Sequence, residues 1–221
     1  CSENWPRFRG NNGDGYADFN IPTEWKESTY RWSLSLDEEG HGSPSVWKNS
    51  VFLNSSTDKG KTRKVIAVDA KTGKLKWQRS YRSKTHKTHR FNSFASSTPA
   101  LDKNSVYSVW GHSTELLVTA HSHDGKLLWE RDLGGVTGGH GFAVSPIVFE
   151  DLLIVPNDQE KGGGAHYGLD CKTGEIKWKV PRASKRLTYS TPCIFTSPLG
   201  KPDLIFTNWW LGFTSLEPKT G

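Results

Sequence analysis

The phrase DAKTGKLKW at residues 69–77 returns as DCKTGEIKW at 170–178, in a looser form as HSHDGKLLW at 121–129, and in its opening letters as EPKTG at 217–221. A phrase kept at a steady period constrains the fold more than any local propensity, because each copy belongs to one supersecondary unit that must stack on its neighbours. The turn glycines Gly73, Gly125, Gly174 and Gly221 are spaced by 52, 49 and 47 residues, and Trp77, Trp129 and Trp178 each follow their glycine by four. A second landmark, a Ser-Pro or Thr-Pro pair ending at Pro44, Pro99, Pro146 and Pro192, recurs after 55, 47 and 46 residues.

Each unit reads as four short strands, A to D. The segments SVW, ALD and IVF, each followed by a tight turn and then VFLN, VYSV or LLIV, predict an opening hairpin. VIAVD, LLVTAH and YGLD supply the third strand, and the repeated turn leads into the fourth. Asp69 and Asp170 are placed to accept turn amide hydrogens, and Gly73 and Gly174 supply the positive φ that closes the turn. Simple alternation then predicts Leu75 and Trp77 inward with the lysines outward, a pattern repeated by Leu127 and Trp129 and by Ile176 and Trp178. An indole at one register in every unit suits sheets that pack face to face. Four-stranded antiparallel units of this length predict an all-β fold, a β-propeller; a β-sandwich, the plainer alternative, needs no fixed period.

The pattern A-x-D-x-K-T-G-x-x-x-W at 67–77 and 168–178, with NWPRFRGNNGDGY and IPTEWKESTYRWSLSL near the N-terminus, resembles the PQQ-like (pyrroloquinoline-quinone-like) β-propeller repeat proteins of the bacterial secreted or lipoprotein type. The resemblance covers essentially the whole chain. It is specific for the fold and weak for activity, since that superfamily holds quinoprotein dehydrogenases and assembly-factor lipoproteins alike. It implies blades at about 41–80, 94–132, 142–180 and 189–221, a lone closing strand at 30–36 with Trp32 in the place of Trp77, and an N-terminal anchor and lead-in segment at 1–29. Two readings stay open: four blades closed on themselves, or part of a propeller of about seven or eight. The second is favoured, because the relatives are longer and the last unit stops at its own turn.

With 34% apolar residues and ten Trp, the chain can bury a substantial core. No apolar run approaches the roughly 18 residues that would cross a bilayer. The net charge of +6 is scattered, not gathered into a block, which argues against a nucleic-acid partner. The three cysteines form no C-x-x-C or metal spacing. Cys1, followed by SENWPRF in a chain without Met, looks like the acylated first residue of a mature bacterial lipoprotein, the alternative being an arbitrary boundary. That reading implies attachment to the bacterial cell envelope, on the periplasmic or cell-surface side of the outer membrane.

Strand order separates two faces. The A–B and C–D turns are short and stereotyped, whereas the B–C and D–A loops differ from blade to blade, which is where function tends to reside. Six of the eight histidines are assigned to this loop face, and the other two, His121 and His123, to a C–D turn. The expected ligand- or partner-binding residues are His41, Arg90, Asn92, His140, Asp158 and Trp209: Arg90 against an anion or carbonyl, the imidazoles and Asn92 as hydrogen-bonding groups, Asp158 orienting a donor, Trp209 stacking. The bland alternative is that each ties its own loop. Gly162–Gly164 lacks the Lys-Ser/Thr and helix of a phosphate loop. No metal-ligand spacing and no adjacent cysteine pair occur, and no Asp/Glu/Asn set maps onto the motifs of the quinoprotein enzymes. The expected function is a lipid-anchored, non-catalytic binding or assembly scaffold for envelope proteins or a glycan. The alternative is a quinoprotein-type dehydrogenase, using PQQ with Ca²⁺, or a glycan-active enzyme, with an active site that lies partly outside these residues.

Overall fold

The computed structural model describes residues 4–11, 13–18, 20, 22–36 and 38–221; Cys1, the expected lipid site, lies outside the described residues. Fifteen strands form four antiparallel sheets, each in simple sequence order. The first blade is β1 (Ser45–Trp47), β2 (Ser50–Thr57), β3 (Thr62–Asp69) and β4 (Leu75–Arg82). The second is β5 (Ala100–Leu101), β6 (Ser105–His112), β7 (Glu115–Ser122) and β8 (Leu127–Asp132). The third is β9 (Ile147–Phe149), β10 (Leu152–Val155), β11 (Gly164–Asp170) and β12 (Ile176–Arg182). The fourth has β13 (Cys193–Thr196), β14 (Pro202–Asn208) and β15 (Gly212–Leu216), and no fourth strand among the described residues. The fold is the expected all-β array of propeller blades.

The core is three seams between consecutive blades. Phe52, Val65 and Trp77 meet Leu101, Val106 and Trp110 across the first. Tyr107, Val109 and Trp129 meet Leu153, Val155 and Leu169 across the second, and Ile154 and Trp178 meet Leu204 and Phe206 across the third. The B and C strands are covered on both sides, so their polar residues are internal too: His121 on β7 and His166 on β11 are fully buried. Neither is in a loop or turn as the sequence pattern suggests. His121 sits against Tyr81 of the preceding blade, 2.6 Å from its hydroxyl, and His166 stacks on Phe206 of the following one at 4.1 Å.

The fourth strands depart from simple alternation. Ala67 pairs with Trp77 but Val68 pairs with Leu75, leaving Lys76 as the extra residue of a β-bulge; the same irregularity falls at Leu128 and Lys177. A bulge moves the residues on its two sides to opposite faces. Trp77, Trp129 and Trp178 are therefore buried while Leu75, Leu127 and Ile176 are exposed, against the expectation of an inward pair.

Each buried indole locks onto the repeated turn of the next blade. Trp129 donates from Nε1 to Cys171 O at 2.9 Å, and a Cβ added to Gly174 (φ +70°) would lie 2.6 Å from its ring. Trp77 and Trp178 do the same at His123 O and Pro218 O, beneath Gly125 and Gly221. Among the described residues, 30–36 form no strand, yet Trp32 keeps the lock: its Nε1 donates to Ala70 O at 2.9 Å and its ring lies under Gly73. Inside the turn, Asp69 accepts from the Thr72 amide and hydroxyl and the Lys71 amide, and the Thr72 bonds above all hold its carboxyl below the usual carboxylate range. Asp170 and Glu217 repeat the cradle.

The first strands of adjacent blades touch, and the N-terminal residues cross them. Trp5 exchanges backbone hydrogen bonds with Val46, Pro6 O accepts from Leu101 N, and Arg7 Nη1 donates to Pro192 O at 3.4 Å, so four residues after Glu3 reach three blades.

Candidate functional site

Hydrogen bonds between loops confirm which connections share a face. Ser83 N donates to Lys61 O and Glu160 N to Thr137 O, each joining a D–A loop to a B–C loop, and Leu133 N of a D–A loop donates to Leu116 O near the start of β7. On the opposite face the A–B and C–D turns are joined by Ala70 N to Asn49 O and Cys171 N to Asp151 O.

The loop face carries a cleft of about 460 Å³ where the segment before β1 and the loops 83–99, 133–146 and 183–192 converge. His41, Asn92 and His140 line it together, joined by His89, Phe91 and Tyr189. The Asn92 amide is spent on construction: Nδ2 donates to His140 O at 2.7 Å, and Oδ1 accepts from Ser96 Oγ. His89 N also donates to His140 O, so two successive D–A loops are tied at one carbonyl. His41 N donates to Ser93 Oγ at 3.1 Å while its Nδ1 lies 3.3 Å from Phe91 O. The His89 ring accepts at Nδ1 from Phe91 N and meets the His140 ring edge-on at 5.1 Å. With backbone groups and the amide satisfied locally, the surfaces left for a ligand are imidazole and aromatic. Phe91 is 74% exposed and Tyr189 46%.

Of the other expected residues, Arg90 stands at the margin with its guanidinium over Phe91 at 4.6 Å. Trp209, 79% exposed, lies under Arg186 and lines a neighbouring hollow of about 370 Å³ that shares Tyr189 with the cleft. Asp158 does not join them. It is buried, accepting from Arg182 Nε at 2.9 Å and from Asn208 Nδ2 at 3.0 Å, while Arg182 Nη1 reaches Thr214 Oγ1 at 2.9 Å. Both partners belong to the third blade, and their bonds to Asn208 and Thr214 tie it to the fourth, so the Asp158 carboxylate is occupied inside the seam. Sequence reasoning passed over Phe91 and Tyr189; an aromatic inside the polar runs HRFNSF and LTYST was the available signal.

The structure suits imidazole chemistry better than metal chemistry. Among the described residues, no three His, Cys, Asp or Glu side chains converge as a ligand set. The cleft's donors are imidazoles, an engaged amide and hydroxyls, whereas Ca²⁺ takes about six to eight oxygen ligands, usually with carboxylates. The calcium-bound quinone of the alternative reading does not fit this cleft.

The sequence model described as outer membrane protein assembly factor BamB matches residues 23–107 and 85–195. The chain belongs to that family. No curated protein sequence matches it. Among solved structures, it is similar to the quinohemoprotein alcohol dehydrogenase of Comamonas testosteroni, at a TM-score of 0.58 and 19% identity over 84% of this chain and 29% of that one. It is similar also to the quinohemoprotein alcohol dehydrogenase ADHIIG of Pseudomonas putida HK5, at 0.56 and 15% over 85% of this chain and 34% of that one. A europium-containing methanol dehydrogenase gives 0.51 and 20%, over 69% of this chain and 27% of that one. At these identities the likeness is one of fold. This chain spans about a third or less of the length of these solved structures.

Proposed function

We propose that the chain is part of a lipid-anchored envelope β-propeller that works as a non-catalytic binding or assembly scaffold, with residues 1–29 as anchor segment and 30–221 as propeller. Cys1 would carry the lipid, and a protein or glycan partner would seat on the loop face. Membership of an outer-membrane assembly family supports the envelope setting. The observation that carries the binding role is the cleft itself: Asn92 spends its side chain joining two blades' loops, and the frame so made presents Phe91, Tyr189, His41 and His140 to solvent. Exposed rings on a rigid frame are what a recognition surface needs, because little side-chain freedom is lost on binding.

Photoreactive residues at His41, His140 and Trp209, compared in cells with the same groups at Lys71 and Lys172 beside the repeated turns, test the face. Adducts at the first set support the reading, and adducts mainly at the second overturn it. Intact-mass measurement of protein from its own membrane tests the anchor: a diacylglyceryl or triacyl increment on Cys1 is expected, and a free thiol at a native N-terminus rejects it.

A further inference from the structure

Beside the aromatic cleft lies a second hollow of about 470 Å³, lined on the far side of the 138–143 loop by buried His112, Val136 and Phe142, half-buried His86 and exposed Lys87 and Lys161. Behind His86 and His112 stands Arg63, near enough that its charge depresses both imidazoles after burial has done so. Arg63 is 1% exposed. Its guanidinium lies over Phe94 at 4.9 Å, with Nη1 donating to Phe94 O and Nη2 to Lys84 O at 3.5 Å, and Nε has no partner. No carboxylate reaches it within ion-pair distance among the described residues.

That lack is unusual for a buried cation, which proteins normally pair. The chain pairs Arg182 with Asp158 in the third seam. Arg7, also buried, is surrounded by carbonyls alone, so it is the company around Arg63 that matters. Lys84, Lys87 and Lys161, with Arg63, outnumber the two nearby carboxylates: Glu115, 3.2 Å from His112 Nε2, and Glu160, which lines the hollow itself and accepts from Gly139 N at 3.1 Å. A concave site with an excess of positive charge concentrates anions.

We propose that this hollow binds a carboxylate-bearing organic ligand, gripped by His86, Lys87 and Lys161 in the field of Arg63. The apolar Val136 and Phe142 offer surface that a bare inorganic anion would not use. His86 directs Nδ1 at Lys84 O, 3.4 Å away, and its Nε2 lies on the side of Gly141 in the hollow. A carboxylate there favours a proton on Nε2, taken from solvent. Binding therefore tightens as pH falls, under the combined influence of Arg63, His112, Lys84, Lys87, Lys161, Glu115 and Glu160.

Nuclear magnetic resonance titration of the His86 imidazole, with glutarate, its uncharged counterpart glutaramide and inorganic phosphate as probes, tests the site. Glutarate should raise the His86 midpoint by about half a unit or more, the sign expected of a nearby anion, and glutaramide should leave it in place. Arg63→Met should weaken glutarate by about tenfold or more, the size of a lost charged contact. Because Arg63 is buried and its loss can disturb the fold, Lys87→Ala with Lys161→Ala provides the same test from exposed positions and should also weaken glutarate. No shift with glutarate, an equal shift with glutaramide, or tighter binding of phosphate than of glutarate overturns the assignment.

Discussion

The two faces of the blades are held together by opposite strategies. On the turn face, one device is used again and again: an indole N–H to a turn carbonyl and the ring under the turn glycine, with a carboxylate closing three of the four turns and Ser122 in its place in the second blade. On the loop face the side-chain contacts that close the seams differ from one blade to the next. Arg182 and Asp158 close one seam through Thr214 and Asn208, Asn92 with the His140 carbonyl ties two loops, and Arg63 lies over Phe94 in another. A device copied in every blade ties sequence to stability at all its positions, whereas single-copy contacts leave the remaining loop residues free to vary.

Substitutions can break that comparison. Trp129→Ala removes a lock at the largest seam and should destabilise by about 3–5 kcal/mol in urea titration, as for other buried aromatics; a loss under about 1 kcal/mol would put the lock on a par with ordinary surface sites. Asp158→Ala leaves Arg182 buried without its partner and should cost about 3 kcal/mol or more, showing that the loop face also contains structural residues. A wild-type-like midpoint for this variant would return Asp158 to the list of binding candidates. Gly174→Ala forces both a positive φ and a 2.6 Å approach to Trp129, and about 1–3 kcal/mol is expected.

Acid should act through the seams. Burial first, then Arg79, pushes His121 down to about 4, and burial with Arg182 pushes His166 down to about 3. Below the ordinary histidine value the unfolded chain takes up protons that the folded chain refuses, so stability falls as pH drops from about 6.5 towards 4, by about 1.4 kcal/mol per unit per group at most. His121→Gln and His166→Gln should each flatten this slope; a wild-type slope in both variants would mean that the buried imidazoles do not set the acid limit. The smallest effect belongs to the cleft: Phe91→Ser should shift stability by less than about 0.5 kcal/mol while lowering partner cross-linking on the loop face.

Much of the architecture was legible before any coordinates. The period of the turn glycines and the indoles marked the blades, and Asp69 and Gly73 play the turn roles their chemistry suggested. Leu75 was misjudged because a bulge at Lys76 breaks period-two alternation without leaving a mark in the sequence. His121 and His166 were assigned to connections because a polar residue near a strand end reads as exposed; in a blade covered on both faces it is internal. In the cleft, His41, Asn92 and His140 were expected on one face, but that Asn92 builds the frame and that Phe91 and Tyr189 complete it depends on where three loops meet.

Local chemistry repeated along the chain determined what each blade must be: a carboxylate, a glycine and a tryptophan at set intervals make the same turn wherever they occur. Which residues would meet between blades was decided only in three dimensions. Asp158 and Asn208 are 50 residues apart, as are His41 and Phe91, and the first pair lies in a buried ion network while the second meets beside an open cleft. Nothing in their spacing separates the two cases, since the difference comes from whether a neighbouring blade covers the site and removes its water.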